Sequence, residues 1–342
     1  MIKDCSKLLS ICIPTYNGEP LLRVSIEKWI EKIKPYNLKI FISDNASTDN
    51  TKELINEFLE IYPQIFYHCN EANIGPDKNF SKALSISDTK FRWLMGNDDM
   101  CDGNLEDLLK ILETDYDAVL LNYPRIIEQV SSEEYTDMNK LMFDLGASTT
   151  FMSCMIFNER IIKNKIFEDV YKSNFANINF AHSAGLFSYV ASKDSKVYYM
   201  NNFKVKGIFS ERTPWADKAF HYFVNNLSLT AKMLPSTYIK KSKNAYSRKI
   251  RTHFFGNNGY FLYTLDAKYA GKFSLAYFFK SHANIKIVFN LPQRFILFKI
   301  ALYPKFLIKF SAFILKKVYH FFKYTLRGKR HPDKIIKVQE TN

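Results

Sequence analysis

No G-x-G-x-x-G follows an apolar run in this chain, and without that glycine fingerprint a dinucleotide of the NAD type has no phosphate cradle. Cysteine is scarce. Cys5, Cys12, Cys69, Cys101 and Cys154 are odd in number, scattered and without metal-ligand spacing, so reduced cytosolic thiols are expected rather than a disulfide framework. No apolar run behind the basic N-terminal residues is long enough for a signal peptide, and residues 8–14 read as a first strand instead. Internal repeats and low-complexity tracts are also missing, and disorder is expected only at 328–342.

Negative charge is absent where it is most telling. Between Ala267 and Pro332 there is no Asp or Glu, while the fourteen Lys and Arg residues from Lys268 to Arg330 account for the whole formal charge of +14. Phe, Tyr, Leu and Ile crowd the same stretch. Lys299, Lys305, Lys309 and Lys316 interrupt every run of ~20 apolar residues, which excludes a spanning helix, and Pro292 and Pro304 divide the stretch into short helices. Lys309, Lys316 and Lys323 fall on one helical face. Basic residues on one face and aromatics on the other describe helices lying in the headgroup plane of an anionic membrane. A basic helical domain packed on the rest of the chain, or pairing with another chain, is the alternative. Nucleic acid is also drawn to basic patches, but the density of Phe, Leu and Ile favours lipid, so no nucleic-acid partner is expected.

The first third of the chain is organised differently. Strand-like runs at 8–14, 38–43, 64–69, 91–95 and 118–122 alternate with segments at 19–34, 49–62, 76–87 and 105–112 that carry apolar residues at three- and four-residue spacing. Such alternation predicts an α/β fold, with a mostly parallel sheet covered by helices on both faces. In such a sheet, ligands bind outside the carboxyl ends of the strands. The strand at 91–95 runs straight into Gly96-Asn-Asp-Asp99. Two adjacent carboxylates there can hold a hard divalent cation against phosphate oxygens. The residue types alone leave open that Asn97, Asp98 and Asp99 only make a turn and cap a helix from near Asp102.

Polar residues also close the other strands: Pro14-Thr-Tyr-Asn17, Ser43-Asp-Asn-Ala-Ser-Thr-Asp49 and Asn73-Ile-Gly-Pro-Asp-Lys-Asn79. With Trp93-Leu-Met-Gly-Asn-Asp-Asp99, this ensemble over residues 8–125 resembles the family 2 glycosyltransferases of the GT-A fold. It is most similar to the abequosyltransferase-like subgroup of bacterial surface-polysaccharide enzymes. Two departures stand out, Asn45-Ala46 in place of Asp-Gly and Gly96-Asn97 where an acidic residue often begins the metal motif.

The resemblance implies a transferase that moves a hexosyl or deoxyhexosyl unit, with inversion, from a nucleotide-sugar to a lipid-linked saccharide acceptor in polysaccharide or lipooligosaccharide synthesis. It implies that Thr15 and Tyr16 line the base pocket and that Asp44 accepts from a base N–H. Asn79 and Gly75 would lie near the ribose and diphosphate. Asp99 would ligate Mn²⁺ or Mg²⁺, and Asp98 would hold the metal or the ribose. Lys78 is read equally as a diphosphate contact or a solvated charge. The resembled family places its general base in the second half before a helix, where Phe180-Ala-His-Ser183 stands here, so His182 is expected in that role. Asp144, Glu211 and Asp217 are its rivals. The hydroxyl-rich loop at 146–157 is a candidate floor for the sugar pocket. In Ser210-Glu-Arg-Thr-Pro-Trp215, Arg212 can hold a phosphate and Trp215 can stack on a sugar.

The expected organisation is a nucleotide-sugar half at 1–125, an acceptor half at 126–265, membrane-associating helices at 266–327 and the tail, with the enzyme peripheral to the cytoplasmic face of the inner membrane. A nucleotidyltransferase is the competing enzyme class, but Tyr16-Asn-Gly-Glu-Pro20 lacks the cation-bearing glycine loop it needs. A non-catalytic basic membrane or nucleic-acid binder would not need Asp44, Asp98 and Asp99 at strand ends. The oligomeric state is not legible.

Overall fold

The computed structural model describes residues 4–123, 130–173, 178–207, 216–253 and 259–304. Strands β1 (Leu9–Thr15), β2 (Lys39–Asp44), β3 (Ile65–Cys69) and β4 (Phe91–Leu94) lie parallel in the order β3-β2-β1-β4. Their crossovers are α1 (Glu19–Ile33), α2 (Thr51–Ile61) and α3 (Pro76–Ser85), each within two residues of the span its periodicity predicts. The strands' strict alternation explains the layering. Leu9, Ile11 and Ile13 of β1 and Ile40 and Ile42 of β2 join one core, while Cys12 and Phe41 between them join the core on the other face.

After β4 the sheet changes character. Parallel neighbours need a crossover of a dozen or more residues, and only residues 95–98 separate β4 from β5 (Asp99–Asp102). β5 therefore leaves for the far edge of the sheet, where Asp99 pairs antiparallel with Gly207 of β9 (Val197–Gly207). The helix expected at 105–112 forms over that span as α4 (Leu105–Leu112), and its cap is the Asn104 side chain on the Glu106 amide, not Asn97, Asp98 or Asp99. β6 (Ala118–Asn122), β7 (Glu133–Tyr135) and β8 (Met155–Asn158) complete a mixed sheet of order β3-β2-β1-β4-β8-β6-β9-β5, with β7 on β9. β8 runs antiparallel to both β4 and β6.

Helices α5 (Met138–Leu145), α6 (Glu159–Ile162), α7 (Lys165–Lys172) and α8 (Ala181–Val190) cover the second face. They are followed by α9 (Leu227–Met233), α10 (Lys240–His253), α11 (Gly259–Tyr269), α12 (Leu275–Lys280), α13 (His282–Val288) and α14 (Leu291–Leu302). The boundary expected at 265/266 falls inside α11, and that at 125/126 lies outside the described residues. Phe278, Ile285, Val288, Leu297, Ile300 and Ala301 belong to the same core as α8 and β8. Lys268, expected at the start of a solvated basic extension, is instead buried and donates from Nζ to the Ala301 carbonyl at 2.7 Å, closing the end of α14. Pro292 and Pro304 bound α14 as expected. Residues 305–342, including Lys309, Lys316 and Lys323, lie outside the described residues.

Candidate active site

The carboxyl ends of β1 to β4 are tied together by side chains from their loops. Asn17, held at a left-handed φ of 48°, donates its amide to Ser47 Oγ at 2.9 Å and accepts from the Thr48 amide at 2.7 Å. Ala46 also stands at a left-handed φ, 60°, in the place where the resembled motif carries glycine. Asp44 is buried, and its Oδ1 accepts from the Ser47 amide and hydroxyl at 3.0 and 2.5 Å, while Oδ2 accepts from the Tyr67 hydroxyl at 2.8 Å. The Cys69 thiol also points to Oδ2 at 3.9 Å, so all of the about four acceptor positions on this carboxylate face a donor, the thiol being the weakest. Asp44 shapes the β2 loop from within.

Asn79 departs from its expected role. Its Oδ1 accepts from Ser43 Oγ and Asn70 Nδ2 at 2.8 and 2.9 Å, and its Nδ2 donates to the Thr15 and Ser43 carbonyls at 3.3 and 3.0 Å. All four bonding positions of the amide are used, so Asn79 clamps β1 to β2 and has none left for a ribose or diphosphate. Gly75, at φ 84°, opens α3 beside it. Lys78 stays exposed. Thr15 is buried with its hydroxyl accepting from Asn97 at 3.1 Å, while the Tyr16 ring is 49% exposed at the rim.

Asp98 and Asp99 occupy the turn between β4 and β5. Ser153 Oγ accepts from the Gly96 amide at 2.8 Å and donates to Asp99 Oδ2 at 2.5 Å, and its carbonyl accepts from the Trp93 indole at 2.8 Å. Burial, and then the neighbouring Asp98, push the Asp99 carboxyl up to about 7 against the opposing pull of Ser153. Burial likewise raises Asp98. No cation among the described residues offsets this pair. A Cβ at position 96 would stand 2.6 Å from Asp99 Oδ2 and 3.1 Å from Asp98 Oδ1, so a side chain there would displace the carboxylates. Among the described residues no three His, Cys, Asp or Glu side chains gather into a metal cage. Two unneutralised carboxylates nonetheless fit a cation that takes its other ligands from phosphate and water.

His182 is not placed to receive a substrate proton. It is 1% exposed, packs its ring edge against Phe80, and neither ring nitrogen has a hydrogen-bond partner among the described residues. Burial drives its pKa down to about 4. Of its rivals, Asp144 accepts from Lys140 Nζ at 2.9 Å and Tyr135, and Asp217 pairs with Lys272. Arg212, Trp215 and Glu211 lie outside the described residues. The loop at 146–157 mostly satisfies itself, with Ser148, Thr149 and Thr150 donating to carbonyls three residues back. Only Ser153 from it reaches the carboxylates. Tyr67 was not singled out in the sequence and Ser153 only as part of the loop at 146–157, and nothing short of the pairing of β8 with β4 points to Ser153.

Residues 10–176 match the family described as Glycosyl transferase family 2. The abequosyltransferase of Salmonella typhimurium is 40% identical over 114 residues, which is 32% of this chain and 33% of that protein. The match thus spans about one third of that relative's length. The GalNAc(5)-diNAcBac-PP-undecaprenol beta-1,3-glucosyltransferase of Campylobacter jejuni is 26% identical over 306 residues, 84% of this chain and 92% of that one. A mannosyltransferase from Pyrobaculum calidifontis, solved in complex with GDP-Man and Mn²⁺, shares the fold at a TM-score of 0.52 and 14% identity, covering 92% of this chain and 83% of that one. The GT-A-type sheet and the strand-end loops agree with the family match, and over residues 10–176, just under half of its length, the chain is similar to glycosyl transferase family 2.

Proposed function

We infer that the protein transfers a hexosyl or deoxyhexosyl unit, with inversion, from a nucleotide-sugar to a saccharide on a lipid carrier, in the building of a surface polysaccharide or lipooligosaccharide. The observation that carries this reading is the Asp98–Asp99 pair, raised and without a counter-charge, at the carboxyl end of β4. Stable proteins rarely keep two desolvated carboxylates together without a use for them. A divalent cation held by Asp99 and Asp98 would offset the charge that grows on the diphosphate as it leaves. Around that point Tyr16 offers a ring face to the base, Asp44 accepts from it in place of the weakly bonded Cys69 thiol, and Ser153 keeps Asp99 aimed. The names of the abequosyl and glucosyl relatives support the sugar class, and the undecaprenol-linked substrate in the latter's name supports a lipid-linked acceptor. Inversion rests on the family likeness alone.

A peripheral seat on an anionic membrane surface belongs to the same reading. Phe279, Leu291, Phe295, Ile296, Leu302 and Tyr303 stand exposed on α12 to α14, interleaved with Lys280, Lys286, Arg294 and Lys299. No helix of the described residues is long and apolar enough to cross a membrane. Thermal-shift titration with UDP, GDP, CDP and dTDP, with and without Mn²⁺, tests the donor site. A ligand at 100 times its Kd adds ~2.7 kcal/mol, and the absence of any nucleotide-dependent shift would overturn the transferase reading.

A further inference from the structure

A cavity of about 400 Å³ lies in the C-terminal helical layer. Asp217, Lys218, Phe220, His221 and Tyr222 line it from one side, and Ala267, Lys272 and Tyr277 from the other. Its polar groups are already ordered. The Tyr277 hydroxyl oxygen accepts from the Asn225 amide at 2.6 Å and bonds His221 Nδ1 at 2.9 Å. The bond to Tyr277 occupies Nδ1, which leaves Nε2 as the ring nitrogen that can meet a ligand. Burial, and then Lys280 at the end of α12, lower the His221 pKa. Asp217 is bound to Lys272, which leaves Lys218 of the lining, and Lys280 near His221, without an ion pair among the described residues. Phe220, Tyr222 and Tyr277 supply the walls. The helix that brings Tyr277 also brings exposed Phe279, whose ring meets Phe298 of α14 within the exposed apolar layer.

Unpaired lysines, an imidazole held through Nδ1 and aromatic walls beside an apolar surface match an anion with a hydrocarbon attached to it. We propose that this cavity binds the phosphate ester of a lipid carrier, with Lys218 and Lys280 as counter-charges and His221 Nε2 as donor. The aromatic walls take the first carbons of the chain. A glycan carried on that phosphate would then be held by its carrier, apart from the sugar-transfer centre. The inference rests on the acceptor being lipid-linked.

The test is calorimetric titration of the full-length protein with dodecyl phosphate below its micelle concentration, and separately with inorganic phosphate. Wild type is compared with Lys218→Glu, Lys280→Glu and the remote surface control Lys110→Glu. Dodecyl phosphate is expected to bind wild type and the control alike, and to lose roughly tenfold or more in each cavity variant. All three altered lysines are exposed, so the variants fold. Equal dodecyl phosphate affinity in wild type and both cavity variants overturns the site. Inorganic phosphate binding as tightly as dodecyl phosphate overturns the lipid carrier and assigns the cavity to a free phosphate. A parallel nucleotide titration, expected to be unchanged in the variants, separates failure of the donor site from failure of the cavity.

Discussion

The Ser153 hydroxyl bridges two points of the β4–β5 turn, accepting from the Gly96 amide and donating to Asp99 Oδ2 at 2.5 Å. It thereby orients the carboxylate and favours its ionised form. Ser153→Ala should raise the Asp99 pKa further above about 7 and move the acidic limb of the pH–rate profile to higher pH. The orphaned Gly96 amide should cost about 1–3 kcal/mol of stability. An unshifted profile would remove Ser153 from the site.

Asp99 itself gives the protein a pH dependence of known sign. Its folded pKa of about 7 lies above the ordinary 3.8, so its contribution to stability is complete below about pH 4 and is lost as pH rises through about 7. Asp77, raised by burial to about 7 beneath the start of α8, acts in the same sense. Asp99→Asn should therefore gain on the order of 1–3 kcal/mol over wild type at pH 8 and almost nothing at pH 4. Melting temperatures across that range check it, and parallel curves would refute the shift. Asp99→Ala should abolish transfer, and Asp98→Ala should impair it severely, with circular dichroism unchanged.

Asn79→Ala removes four hydrogen bonds that tie Thr15, Ser43 and Asn70 together, although the Thr15 carbonyl keeps the Asn45 amide and the Asn70 side chain keeps Asn45 Oδ1. The expected loss is about 2–4 kcal/mol in urea unfolding, since each hydrogen bond is worth about 0.5–1.5 kcal/mol. If stability is untouched and only nucleotide affinity falls, Asn79 is a ligand contact and not a clamp.

Ala46→Gly relieves a left-handed backbone that costs an L-residue roughly 1–2 kcal/mol, against roughly 0.5–1 kcal/mol of added unfolded-state entropy. A net gain of about 0.5 kcal/mol is expected in urea unfolding. A loss would mean that the Ala46 methyl packs usefully.

Truncation separates membrane binding from folding. Removing everything from residue 291 strips Leu297, Ile300 and Ala301 from the core and the partner of Lys268, so melting should drop sharply. A chain ending at Pro304 should stay folded but float less with anionic vesicles than the full-length protein, with part of the full-length binding resistant to salt. Full-length protein that never floats would leave α12 to α14 as packing elements.

The periodicity of residues 8–122 was enough to place the first four strands and four helices, because alternate burial on two faces writes itself into every second or third residue. The acidic turn after β4 was legible for the same reason, as an apolar run ending in two carboxylates. Single residues are different. Asn79 and Asp44 look like ligand contacts in a strand-end motif, yet their bonds run inward, because neighbouring parallel strands bring Thr15, Ser43 and Tyr67 within reach. His182 has the right place in the order of residues and the wrong surroundings, sealed by Phe80 and Phe180. Ser153 meets Asp99 only because β8 lies antiparallel to β4, fifty residues along the chain. The basic composition of the C-terminal stretch was plain in the sequence, but only packing decided that Lys268 turns inward and that α14 completes a core. Local pattern fixes what one element does with its own neighbours. Hydrogen bonds between distant segments depend on register and crossing, which no single stretch of sequence contains.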